Sequence, residues 1–265
     1  LIIMSEEHKL FIKRSKQFNL FVRLTQISVV LIFIFLWQFL ADNNIVNSFI
    51  TSSPYNVIKT IISLFKDGTL FVNIWITVYE TIISFILGTF IGLVVASILW
   101  SNKFIAKVID PFLTILNSLP KVALGPIIII WAGAGVNSII IMALLISTII
   151  TIINIYQGFI GIDPIKIRLM KSLKASKSQT YFKLILPGSF NIIISTLKIN
   201  ISMSLIGIIM GEFLVSKQGI GYLIMYGSQV FNLNLVITGI VILGLVSIVM
   251  YYFISYLESK ITRSK

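Results

Sequence analysis

Cysteine is absent from all 265 residues, so the chain has no disulfide, no thiol nucleophile and no thiolate metal site. Histidine occurs once, as His8 in a polar stretch, and neither a metal site nor a His-based proton relay can be built from it. Charge is sparse too: 11% of residues are charged, and the nine acidic ones are scattered along the chain. A membrane enzyme working on lipid or isoprenoid substrates needs clustered Asp, Glu or His near the interface, so that class finds little support. No Gly-rich loop ending in Lys-Ser or Lys-Thr is present. The Gly-x-Gly at Gly219 and Gly221 follows no strand and lacks a third glycine, so the chain carries no nucleotide loop.

What fills the chain instead is apolar: 57% of residues are hydrophobic and the mean hydropathy is +1.01. Apolar runs longer than about 18 residues and rich in Ile, Leu and Phe suit helices crossing a hydrocarbon core of roughly 30 Å; barrel strands would be about ten residues long and alternating. The fold class is therefore all-α, a polytopic membrane protein with about six transmembrane helices. The expected spans are 24–41, 72–99, 108–132, 136–160, 190–210 and 235–257. They form one transmembrane domain, 24–257, between an N-terminal tail, 1–23, and a C-terminal tail, 258–265. Basic Lys9, Lys13, Arg14, Lys16 and Arg23 precede the first span and no small-x-small cleavage site follows it, which reads as an uncleaved anchor. With both tails cytosolic, 16 of the 21 basic residues lie on the cytosolic side and only Lys59, Lys66 and Lys217 outside. That asymmetry accounts for most of the net charge of +12 without any nucleic acid partner.

Three segments depart from plain spans. Outside the membrane, Ser53 caps and Pro54 opens a helix whose Val57, Ile58, Ile61, Ile62 and Phe65 recur at helical spacing, so a short interfacial helix is expected, ended by Gly68. After the fifth span, Gly219, Gly221 and Gly227 permit tight turns around apolar Tyr222–Met225, so this segment is expected to dip back into the membrane. In the third span Pro111, Pro120, Gly125 and Pro126 should break the hydrogen-bond ladder repeatedly. Irregular backbone at membrane depth survives beside protein or a wet cavity, so this span either borders a translocation path or is a kinked packing helix. Asn117, Pro120 and Lys121 in it, with Glu80 and Lys198 in neighbouring spans, are the residues assigned to such a path. Each has a plainer reading. Glu80 could pair with Lys121 or Lys198 or act in gating, the lysines could snorkel to headgroups, and Glu212 reads as a structural, interfacial carboxylate. Gly88-x-x-x-Gly92 and Gly207-x-x-x-Gly211 read as close helix packing.

The most informative stretch is the basic hairpin 161–187 between the fourth and fifth spans. Asp163 caps and Pro164 opens a helix on which Ile162, Ile165, Leu169 and Leu173 form an apolar stripe, with Lys166, Arg168, Lys171 and Lys174 on the remaining surface. Ser176 and Gln179 then form a capping box that starts a second helix leading to Pro187. An amphipathic helix of this kind suits a groove in another protein or adhesion to the membrane surface.

The segments 118–138 (SLPKVALGPIIIIWAGAGVNS), 175–187 (ASKSQTYFKLILP), STLKINIS around Lys198, and 211–224 (GEFLVSKQGIGYLI) together resemble the inner-membrane permeases of binding-protein-dependent ABC importers, in the branch for sulfonates, taurine, nitrate and the thiamine pyrimidine precursor. The resemblance implies the type I importer fold and a bacterial inner-membrane location. It also implies two permease copies about a two-fold axis, a cytosolic ATPase dimer that binds ATP and Mg, and an external solute-binding protein; the chain itself needs no cofactor. It makes Asp163, Pro164, Arg168, Leu169, Met170, Lys174, Ala175 and Ser176 the segment that couples to the ATPase. Arg168, Leu169 and Met170 stand where the family usually has Glu-Ala-Ala, and Lys174 stands at its glycine, while Ala175, Ser176, Leu186 and Pro187 fit. The reversed charge points to a dedicated ATPase. A stand-alone secondary transporter remains the contrasting reading, in which the hairpin would have no ATPase to grip.

Overall fold

Small residues set the helix framework. In α4 (Thr69–Ser101) the buried face carries Thr77, Thr81, Ser84, Gly88, Gly92 and Ala96, three or four residues apart. The helix α7 (Val136–Ile160) lies in that groove: a Cβ on Gly88 would come within 2.9 Å of Ser147 Oγ, and one on Gly92 within 2.5 Å of Thr151 Cγ2. On its other side α7 meets α11 (Phe190–Val215), where a Cβ on Gly207 would lie 2.4 Å from Ala143 Cα and one on Gly211 2.8 Å from Ile139 Cα. Both glycine pairs therefore serve close packing, and α7 is held between α4 and α11. Lipid supplies no hydrophobic drive between helices, so close approach and dispersion hold this sandwich.

The computed structural model describes residues 6–43, 45–46 and 48–262, and every regular element among them is helical. A single helix, α1 (Glu6–Asp42), runs through residue 23, and from residue 14 on its side chains are almost all exposed. After α2 (Ser48–Thr51) comes the expected external helix α3 (Pro54–Lys66): Ser53 Oγ accepts from the Asn56 amide at 3.2 Å, and Gly68 turns the chain at φ 71°. Asn102 caps α5 (Lys103–Ser118) by accepting from the amides of Phe104 and Ile105 at 2.9 and 3.3 Å. Its proline, Pro111, sits inside an unbroken helix, contrary to expectation.

The break falls at Pro120 alone. Its ring disfavours helical backbone at Leu119, which is extended at φ −65° and ψ 138°. A 3-10 turn over Lys121–Leu124 then leads into α6 (Gly125–Ala132). Pro126 lies in the first turn of α6, where a missing amide costs nothing. The two halves meet at 89°, so the expected span 108–132 is a broken pair and not one helix. Among the described residues five helices are long and apolar enough to cross a membrane, or six if the bent pair counts as one span.

The hairpin follows as α8 (Pro164–Ser172), α9 (Lys177–Thr180), a π turn over Tyr181–Ile185 and α10 (Leu186–Gly188). The wide turn fits Pro187, whose ring and missing amide cannot serve an ordinary ladder. Past α11 the chain reverses at Gly219 (φ 114°) and folds back as α12 (Ile220–Gln229) against α11 and α13 (Leu233–Thr262).

Candidate functional site

The hairpin has an outward and an inward side. On α8 and its C-cap, Ile165, Leu169 and Leu173 are 69%, 59% and 69% exposed, so among the described residues three of the four stripe residues are largely uncovered. Ile162, the fourth, is half-buried and packs with Ile167 beside Phe159 and Ile185. Both expected caps form: Asp163 Oδ1 accepts from the Ile165 amide at 2.8 Å, Gln179 Oε1 from the Ser176 amide at 2.8 Å, and Ser176 Oγ from the Gln179 amide at 3.2 Å. Between the helices Lys174 takes φ 56°, the left-handed conformation that glycine adopts without a Cβ penalty. The turn is thus the one a glycine would make, held at a cost. Asp163, Pro164, Arg168, Leu169, Lys174 and Ser176 are exposed and Met170 and Ala175 half-buried, all on one connected hairpin.

Tyr181 ties this hairpin to the spans. Its ring contacts Trp100, Phe159 and Phe182 with centroids 5.4, 5.7 and 5.1 Å away. Its hydroxyl lies 2.6 Å from Ser97 Oγ on α4; because Ser97 Oγ also sits 2.6 Å from the Leu93 carbonyl and donates there, Tyr181 is the donor between them. Ser189 Oγ donates to the Gly158 carbonyl at 2.9 Å, closing the base where α7 and α11 meet. A packed aromatic cluster thus joins the hairpin to α4 and α7.

At the other end a buried polar network holds α12. Glu212, 1% exposed, accepts from Thr77 Oγ1 at 2.6 Å through one oxygen and from the Gly221 amide at 2.5 Å through the other. Thr77 Oγ1 accepts from the Ile220 amide at 2.8 Å, and Asn73 Oδ1 from the Gly219 amide at 2.6 Å. A carboxylate at a helix N-terminus satisfies free amides and complements the helix dipole. Nothing in the local sequence pairs Glu212 with residues more than 130 positions away, and Asn73 and Thr77 went unnoticed for that reason.

Glu80, one turn along α4, is 2% exposed, and its Oε2 has no hydrogen-bond partner among the described residues. Ser84 Oγ and Ser147 Oγ are likewise buried and unpartnered. Such groups ordinarily hold ordered water. The pairings considered for Glu80 do not form. Lys198 pairs with Glu258 on α13 and lies 5.9 Å from the Tyr251 ring centroid, while Lys121 Nζ donates to the Asn117 carbonyl at 2.8 Å. Asn117, Pro120 and Lys121 thus cluster at the 89° bend, with Asn117 and Pro120 exposed, whereas Glu80 is on α4 and Lys198 on α11.

The family of binding-protein-dependent transport system inner membrane components matches residues 88–263, well over half of the chain. This chain belongs to that family. It is a multi-pass inner-membrane permease of the ABC importer type, not an enzyme, and permeases of this type work with an ATPase and a binding protein. Its relatives include the Bacillus subtilis (strain 168) protein named as an aliphatic sulfonates transport permease, 27% identical over 88% of this chain and 84% of that one. The taurine transport system permease of Escherichia coli (strain K12) is 19% identical over 89% of this chain and 88% of its own length. The formylaminopyrimidine transport permease of Halalkalibacterium halodurans is 24% identical over 66% of this chain and 69% of its own. Among solved structures, the inward-facing MetNI methionine ABC transporter in its CY5 native crystal form has a chain that superposes with TM-score 0.64 at 18% identity, covering 72% of the permease and 94% of that chain. This last likeness establishes the fold, type I, as the sequence resemblance implied.

Proposed function

We propose that the permease carries a small anion of the sulfonate, taurine or nitrate class, delivered by an external binding protein and driven by a cytosolic ATPase dimer that grips α8. The observation that carries the coupling half of this reading is the unpartnered row Ile165, Leu169 and Leu173 on a hairpin anchored to α4 by Tyr181. A protein groove can bury that row while the surrounding lysines set its register. Two permease copies then enclose the path, with the bent α5–α6 segment facing it. Asn117, Pro120 and Lys121 lie at the bend, and the nearby Ile130 and Trp131 are exposed within one copy. Within one copy Glu80 is buried and Lys198 pairs with Glu258 on α13. With this orientation both ends of the chain and the hairpin are cytosolic, in line with the distribution of basic residues.

The anion reading draws on the sulfonate and taurine relatives. The formylaminopyrimidine relative favours a second reading, a heteroaromatic vitamin precursor, over two thirds of the chain. Reconstitution of the permease with the ATPase and binding protein encoded beside it decides between them. Uptake of an alkanesulfonate, taurine or nitrate that needs ATP supports the first; uptake of a formylaminopyrimidine alone selects the second. Uptake without ATP that collapses with an uncoupler would overturn both.

A further inference from the structure

A cavity of about 580 Å³ lies between the start of α5 and the hairpin. Lys103 enters it from α5, Lys171 from α8 and Lys177 from α9, and no carboxylate lines it. Among the described residues none of these lysines has an ion pair. Asn102 adds to the donor set: its Oδ1 is taken by two backbone amides, and its amide nitrogen is the remaining polar group it brings to the lining. The hydroxyls of Ser101 and Thr180 donate to the carbonyls of Ile98 and Ser176, so they can only accept. The neighbouring cavity, about 510 Å³, shares Lys103 and adds Lys107 with Asp110, so the surroundings stay net positive.

Topology accounts for single lysines on this face but not for three from separate segments that line one cavity. The inward position of Lys171 matters here. Four residues after Ile167, which lines the same cavity, it lies on the side of α8 away from Ile165, Leu169 and Leu173. The cavity and the proposed ATPase face are therefore different sides of one helix. The site also has a defined depth: Trp100, at the end of a membrane-spanning helix, forms its wall, and tryptophan at a span end marks the headgroup layer.

We propose that this cavity binds a phosphate group, presented by the bilayer as the headgroup phosphodiester of an anionic phospholipid. Three ammonium groups and an amide donor match its oxygens, and basic pockets between spans at the headgroup level have this use. Bound there, the phosphate ties the hairpin to the start of α5. The proposal rests on the reading of the hairpin end as the headgroup-level face, but it needs no ATPase.

The test is native mass spectrometry of the full-length, delipidated permease titrated with phosphatidylglycerol or phosphatidylcholine. Wild type should retain phosphatidylglycerol in preference. The combined Lys103→Gln, Lys171→Gln and Lys177→Gln variant should bind it about a hundredfold more weakly. Arginine at the same three positions should keep binding, which separates charge from misfolding. A control with Lys59→Gln, Lys66→Gln and Lys217→Gln, exposed lysines outside this cavity, should behave as wild type. Thermal stability in inorganic phosphate against chloride at matched ionic strength separates the sources. A rise in wild type that the glutamine variant lacks shows that the site also takes the free ion; no rise, with lipid retained, restricts it to the headgroup. Equal phosphatidylglycerol affinity in wild type and glutamine variant, an equal loss in the control, or no preference over phosphatidylcholine overturns the proposal. Failure of the permease to bind an ATPase while the phosphatidylglycerol preference holds would instead count against the function proposed above.

Discussion

Lys174 adopts a backbone conformation that its own Cβ resists. At φ 56° an L-residue other than Gly, Asn or Asp gives up roughly 1–2 kcal/mol. Lys174→Gly should therefore raise the melting temperature of the detergent-solubilised permease, by a stability gain of up to about 1 kcal/mol after the extra entropy of the unfolded chain is counted. Lys174→Val should lower it, since branching at Cβ adds to the same clash. The residue scale also contains the network around Glu212. Glu212→Ala leaves Thr77 Oγ1 and the Gly221 amide without their shared acceptor, and the expected loss is about 2 kcal/mol or more. Glu212→Gln keeps one acceptor oxygen and turns a donor toward the other partner, so its thermal stability should fall between the two. The structural role of Glu212 was legible from its place at the end of a span. Its partners were not, because Asn73 and Thr77 are distant in sequence and look like ordinary polar residues of an apolar helix.

At the scale of the element, the two glycine pairs are where packing is tightest. Gly207→Val puts a branched side chain where even a Cβ would lie 2.4 Å from the Ala143 backbone, so α7 and α11 must separate; overpacking of this kind costs about 1–3 kcal/mol. Gly244→Ala on α13 is the matched control, because a Cβ there meets nothing within 4 Å, and its melting temperature should stay the same or rise slightly. The caps at Ser53, Asp163 and Ser176 could be read from spacing because they depend on neighbours within one turn; the glycine pairs show the same way as glycines four residues apart, but the helix each one faces does not. The bend could not. Pro111 and Pro120 look alike in a sequence, yet only Leu119 leaves helical backbone, and Pro111 is accommodated within α5. The ion pair of Lys198 with Glu258 escaped for a related reason: it joins α11 to α13, and each partner alone resembles an interfacial charge.

Across the whole molecule, the mechanism proposed above has a pull on α8 move the spans, and the contacts of Tyr181 let gripping be tested apart from transmitting. Replacing Ile165, Leu169 and Leu173 together with Ser removes only exposed apolar surface, so the permease should fold and melt as wild type. Each of these side chains gains about 1.5–3 kcal/mol on full burial in a partner groove, so association with the ATPase should weaken by well over a hundredfold. Tyr181→Phe is the complementary change. It keeps the ring against Trp100 and Phe159 and removes the hydroxyl that donates to Ser97 on α4. The ATPase should still bind at wild-type affinity, because α8 is untouched, but solute moved per ATP hydrolysed should fall, since the hairpin then holds α4 through the ring contact with Trp100 and without the hydrogen bond to Ser97. Measuring ATPase affinity and the transport-to-hydrolysis ratio on both variants in proteoliposomes gives two numbers for each variant to set against wild type. If the serine variant lost transport with its ATPase affinity unchanged, α8 would not be the gripping surface. If Tyr181→Phe kept the full ratio, the force would have to pass through Ser189 and the junction of α7 with α11 instead.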